Sequence, residues 1–137
     1  MQVQLTRLEE PFQFNISNNS GSELISDGNP DIGGSGNGFR PMELLLAGAG
    51  GCASIDLLLI LKKQRQRVAD VQVTVRGERD ETPAKAFKAI KFHFVIQGEI
   101  DESKLDRAIS LALDKYCSVV KSLKENIKID YTYAVNE

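Results

Sequence analysis

The chain has 137 residues, enough for one domain with a buried core and too few to expect two. Its 42% hydrophobic and 26% charged residues exclude a disordered chain. A net charge of −2, with no Lys/Arg block interleaved with aromatics, excludes a phosphate-tracking surface, so no nucleic-acid partner is expected.

The opening "MQVQLTRLEE" lacks the basic start and apolar run of a secretory signal, and a cytoplasmic chain with reduced cysteines is expected. Residues 3–17 alternate Val3, Leu5 and then Phe12, Phe14, Ile16, which predicts a strand with a bulge or break at Pro11. "SNNSGS" is a turn and "ELIS" a second short strand. Residues 27–38 hold five glycines without periodicity and read as a mobile loop. Neither GxxxxGK[ST] nor GxGxxG occurs there, so the loop is not a phosphate cradle.

Pro41 suits a first helical turn, and the pattern predicts a helix over 41–67 that ends in the basic "KKQRQR". Residues 44–61 approach the length of a membrane span, but glycine and alanine dilute them and Asp56 is costly in lipid. No membrane partner is expected. The helix is apolar around most of its circumference, which calls for cover on nearly all sides, and a homodimer packed through the Gly/Ala stretch supplies it.

Two strands come next, over 68–80 and 86–98, with Val71, Val73, Val75 and Ile90, Phe92, Phe94, Ile96 on their inner faces and His93 on the opposite one. Asp101 caps a second helix over 102–124, with Leu105, Ile109, Ala112 and Tyr116 at helical spacing. Residues 127–135 alternate as a last strand. The order β-β-α-β-β-α-β, in hairpins, predicts an α+β fold in a single domain over 1–137.

Cys52 and Cys117 are 65 residues apart, with no CxxC, and His93 is the single histidine, so the spacing predicts no metal site. Gly48 lies one turn before Cys52, and Gly51 and Ala53 flank it, leaving the sulfur uncovered on its own helix. Cys52 is too far from Pro41 to gain from the helix dipole, and Asp56 puts negative charge one turn on. A reactive Cys52 would need a cation from another element, and Arg7, Arg40 and Lys62 are the nearest by topology. Cys117 falls at the edge of its helix's apolar stripe, partly within reach of solvent, with Lys121 one turn on. Taken alone, these residues fit either buried small hydrophobes or reactive thiols.

"RPMELLLAGAGGCASID" with Cys52 and "AISLALDKYCSVVKSLK" with Cys117 resemble the two cysteine helices of the OsmC/Ohr family, in its OsmC-like branch. The resemblance implies an intertwined homodimer in which antiparallel sheets wrap central helices. It implies a thiol peroxidase without a bound cofactor, active on organic hydroperoxides in oxidative-stress defence. Cys52 would match the reactive cysteine and Cys117 the resolving one, with an external dithiol or lipoyl-type reductant restoring both. The family's peroxidases carry a glutamate directly after the helix-starting proline; here that place is Met42 and Glu43 comes one later. Its catalytic arginine lies upstream of the proline, where this chain has Arg7 and Arg40. Arg7, Arg40, Glu43 and Asp56 are therefore the expected supporting residues. The alternative is a non-catalytic module of the same fold that binds a small molecule or electrophile.

Overall fold

The computed structural model describes all residues, 1–137. They form two compact units, Met1–Leu45 and Leu46–Glu137.

The first unit is an antiparallel sheet of β1 (Val3–Glu9), β2 (Gln13–Asn18) and β3 (Glu23–Ser26), in that spatial order. The break at Pro11 is complete: the chain reverses there, and what reads as one interrupted strand is a hairpin pairing Leu5 with Ile16. The fold therefore opens with three strands rather than two. Asn18 closes the next turn, its side-chain oxygen accepting from the N–H groups of Ser20 and Ser22 at 3.1 and 3.0 Å. The loop after β3 is pinned, not merely polar. Asp27 is buried and accepts from the N–H of Gly28 at 2.7 Å and from Ser35, while Asn29 caps a short 3-10 turn at Pro30–Ile32.

The second unit places helices on one face of a mixed sheet. β4 (Arg67–Arg79) and β5 (Phe87–Glu99) form a long antiparallel hairpin that pairs Val73 with Phe94 and Val75 with Phe92. β6 (Lys128–Val135) lies beside β5 and runs parallel to it, where the sequence predicts hairpins alone. The physical reason is the crossover: the helical segment between them carries the chain back along the sheet, so β6 starts at the same end as β5. Phe92, Phe94, Ile90 and Ile96 are buried on the inner face, with the Phe92 and Phe94 rings stacked at 6.0 Å.

α1 (Pro41–Lys63) is long and apolar enough to cross a membrane, but it is used here as a packing element. Ala49, Gly50, Ala53, Leu57 and Leu61, at three- and four-residue spacing, are its buried stripe. It stops at Lys63, before the predicted end, because Arg65 adopts a left-handed conformation with φ of 59°. α2 (Glu102–Leu111) begins on Asp101, whose carboxylate accepts from the N–H groups of Ser103 and Lys104 at 3.0 and 3.2 Å. Tyr131 of β6 donates its hydroxyl to Asp106 of α2 at 3.0 Å, which seats that helix on the sheet's inner face.

The second helix is not continuous to residue 124. After Leu111 the chain widens into a π turn at Ala112–Tyr116, leaves helical geometry at Cys117, and resumes as the short α3 (Ser118–Ser122).

Gly50 marks the close approach of α1 to the sheet, because a Cβ built there would stand 2.8 Å from Cγ2 of Val75. Gly50→Val is expected to lower stability by about 1–3 kcal/mol through overpacking. Gly51→Ala, whose Cβ would meet nothing of its own chain within 4 Å, is expected to leave that packing against the sheet intact. Urea midpoints of the two variants check the contrast.

Candidate active site

Two helical segments of the second unit bring the cysteines together. Cys52 sits in the middle of α1, half-buried, on a turn whose neighbours Gly48 and Gly51 add no side chain. Its thiol donates to Oδ2 of Asp56 at 3.9 Å, one turn further along the same face. Cys117 stands where the π turn ends, its backbone at φ −65° and ψ 103°. Its N–H donates to the carbonyl of Ala112 at 2.8 Å, and its own carbonyl accepts from the N–H of Lys121 at 3.0 Å. The Cys117 sulfur lies 4.0 Å from the carbonyl of Ala49, over the small-residue stripe of α1. The two Sγ atoms and the Asp56 carboxylate are all within 4.8 Å of one another.

The environment of Cys117 differs from the expectation. It is fully buried rather than at a solvent-reached edge, since the π turn rotates it away from the position that a regular helix would give. Burial pushes its thiol up to about 11; the Val120 N–H works against the shift, and the bond to Cys52 adds to it. Lys121 is exposed and does not offset this. A thiol held protonated and dry is a poor first attacker. Cys52, with part of its surface in solvent, is the accessible partner.

Of the other predicted residues, Arg7 and Glu43 have local partners of their own. Arg7, on β1, pairs with Glu10 at 3.6 Å in an exposed bridge. Glu43 accepts from the backbone N–H of Arg40 at 2.8 Å, the reach-back bond of a capping box, so it closes the start of α1. Lys62 is exposed in the last turn of α1. Within the first unit, Leu24, Ile25, Phe39, Arg40 and Glu43 line a groove of about 730 Å³. Asp27 pins the loop that lines it through Gly28 and Ser35, and its carboxyl is held below the usual range, first of all by the Ser35 hydroxyl. Sequence reasoning passes over Asp27; the signal is an Asp-Gly step opening a loop that has its own Asn-Pro turn start. His93 faces away from the core, with Nδ1 and the Thr132 hydroxyl 2.7 Å apart, on the opposite face from Phe92 and Phe94.

Alkylation separates the two thiols. At pH 8 with reductant removed, iodoacetamide is expected to add one group per native chain, at Cys52, and two after unfolding in guanidinium. Intact mass with peptide mapping reads the count and the site, and native labelling at Cys117 would contradict the burial described.

The sequence and the fold both have known relatives. The profile of the family described as "OsmC-like protein" matches residues 34–132. Protein YhfA of Escherichia coli is 38% identical over 118 residues, which cover 85% of this chain and 84% of that protein. A hypothetical protein from Aquifex aeolicus superposes with a TM-score of 0.81 at 33% identity, covering 99% of this chain and 97% of that one. An organic hydroperoxide resistance protein from Legionella pneumophila gives a TM-score of 0.75 at 19% identity, with 98% of each chain covered. On the profile match and the identity to YhfA, the chain belongs to the OsmC-like family.

Proposed function

We propose that this chain is a thiol-dependent peroxidase that reduces organic hydroperoxides, with Cys52 as nucleophile and Cys117 as resolver, in the reducing environment of the cytosol. The observation that carries the reading is the pair of sulfurs within 4.8 Å of each other, one half-exposed and one buried. Structural neighbours named for organic hydroperoxide resistance support the substrate class.

The steps balance without a bound cofactor. The Cys52 thiolate attacks the distal oxygen of ROOH, the O–O bond breaks, and ROH leaves after taking a proton; Cys52 becomes a sulfenic acid. The Cys117 sulfur then attacks the Cys52 sulfur. The sulfenic hydroxyl departs with the Cys117 proton as water, leaving a disulfide. The sulfurs need close only from within 4.8 Å to the bonding distance of about 2.05 Å. An external dithiol, of lipoyl type, restores both thiols by exchange. In the resting state the Cys52 thiol donates to Asp56, and this bond is given up when the thiol loses its proton to solvent and becomes the attacking thiolate.

The chain works as a homodimer in this reading. Gly48, Gly51, Ile55, Leu58 and Leu59 leave an apolar strip of α1 exposed, with Ile55 at 62%. Such a strip on a helix of this hydropathy calls for a partner of the same kind. Ile55→Lys with Leu59→Lys is expected to give a monomer by light scattering where the unaltered chain is dimeric; an unaltered chain that is itself monomeric at micromolar concentration would sink the dimer.

Cumene hydroperoxide added to the reduced chain is expected to lower its mass by two hydrogens as the disulfide forms. Cys52→Ser is expected to leave the mass unchanged, and Cys117→Ser to gain one oxygen at Cys52. Because burial holds the Cys117 thiol at about 11, resolution draws on a small thiolate fraction at neutral pH. The thiol loses its proton as pH rises, so the rate of disulfide formation from the sulfenic acid is expected to climb about tenfold per pH unit between 7 and 10. Stopped-flow measurement after stoichiometric peroxide checks the slope. If the chain binds the hydroperoxide but forms neither sulfenic acid nor disulfide, the groove of the first unit favours a small-molecule-binding module instead.

A further inference from the structure

We infer that Cys52, Asp56 and Cys117 also form a three-ligand site for one thiophilic divalent cation, Zn²⁺, which ties up both sulfurs and closes the pair to oxidants. The inference rests on the geometry of the trio and not on peroxide turnover.

The ligand atoms already stand within 4.8 Å of one another. With Zn–S bonds of about 2.3 Å at tetrahedral angles, two sulfur ligands sit about 3.8 Å apart, so the set must contract by about 1 Å or less. One side-chain rotation covers that. Cys52 and Asp56 are four residues apart on one helix, the spacing that points two ligands to the same side, as in helical zinc motifs. The third ligand arrives from the other helical segment, at a turn fixed by the Cys117 N–H bond to Ala112. Two sulfurs and one carboxylate favour zinc over magnesium or calcium, which take oxygen ligands.

Three protein ligands leave a fourth position for water. Binding releases the two thiol protons to solvent and changes no oxidation state, so affinity rises with pH. Disulfide and metal are mutually exclusive, because the S–S bond consumes both thiolates. Sequence spacing misses the site for a definite reason: the cysteines are remote in the chain, and the carboxylate that completes the set reads there as an unfavourable neighbour.

The full-length chain, reduced and stripped of metal under argon, would be titrated with Zn²⁺ against a chromophoric chelator and examined by native mass spectrometry. The expected result is one zinc per chain at low-micromolar affinity or tighter, and Co²⁺ in its place is expected to show thiolate charge-transfer absorption. Asp56→Asn is expected to weaken binding on the order of tenfold while the cobalt–thiolate band persists, and Cys117→Ser to abolish the stoichiometric site. The unaltered chain oxidised to its disulfide is expected to bind no zinc and to regain it on reduction, a control that does not depend on any variant folding. Failure to retain zinc at low-micromolar concentration, zinc uptake unchanged in the disulfide form, or an Asp56→Asn variant equal to the unaltered chain would each overturn the inference. Disulfide formation by zinc-free protein with cumene hydroperoxide is scored separately. Zinc binding without oxidation would sink the peroxidase reading alone, and oxidation without zinc binding this inference alone.

Discussion

The arrangement depends on how near a buried turn can come to the middle of α1. A helix with large side chains at positions 49, 50 and 53 would hold neighbouring backbone about a side chain away. With Ala49, Gly50 and Ala53 there, Val75 of the sheet and the turn at Cys117 both reach the helix surface, and the Cys117 sulfur rests 4.0 Å from the Ala49 carbonyl. Proximity of the sulfurs and dryness of Cys117 both come from that one contact. The stretch costs roughly 0.5–1 kcal/mol for each helical glycine relative to alanine, and the close packing offsets that cost.

The two cysteines are made unlike by position alone. Cys52 projects from a regular helix at a half-exposed place, while Cys117 ends a π turn in the core. A wide turn of this kind adds a residue to the helix and re-aims the side chains beyond it, which is why π turns concentrate at functional sites. Desolvation then holds the Cys117 proton in place, so the order of events in a two-thiol reaction is set before any substrate arrives. The pair is asymmetric in access, and burial makes the Cys117 thiol harder to ionise than a free one.

Much of the fold is legible in the residues. The alternation of Ile90, Phe92, Phe94 and Ile96 marks the inner face of β5, Asp101 marks the start of α2, and of the glycines before Cys52 Gly50 alone marks a close approach, since a Cβ at Gly48 or Gly51 would meet nothing within 4 Å. The hidden features share physical causes. Period-two patterning states which face a strand buries but not the direction of its neighbour, so the parallel pairing of β6 needs the crossover. Pro11 announces a break, and only the pairing of Leu5 with Ile16 tells a reversal from a bulge. A projection at 100° per residue assumes one unbroken helix. The π turn at Ala112–Tyr116 violates the assumption within five residues of Cys117, and the placement of that thiol fails with it.

Asp56 shows how the same residue reads differently once the fold is present. Along the sequence it is a negative charge one turn from a thiol that needs a positive one. In the fold it accepts the Cys52 thiol, and Cys117 arrives on the same side, so the charge fixes direction for one sulfur and stands beside a second. A carboxylate beside two sulfurs sets three donor atoms within 4.8 Å of one another, and its negative charge disfavours a second anion and suits a soft cation. An electrophile without net charge, such as the organic hydroperoxide proposed as substrate, would meet no such repulsion. In the proposed reactions, what the pair of sulfurs takes up turns on whether they are thiols, thiolates or a disulfide, and burial favours the thiol at Cys117.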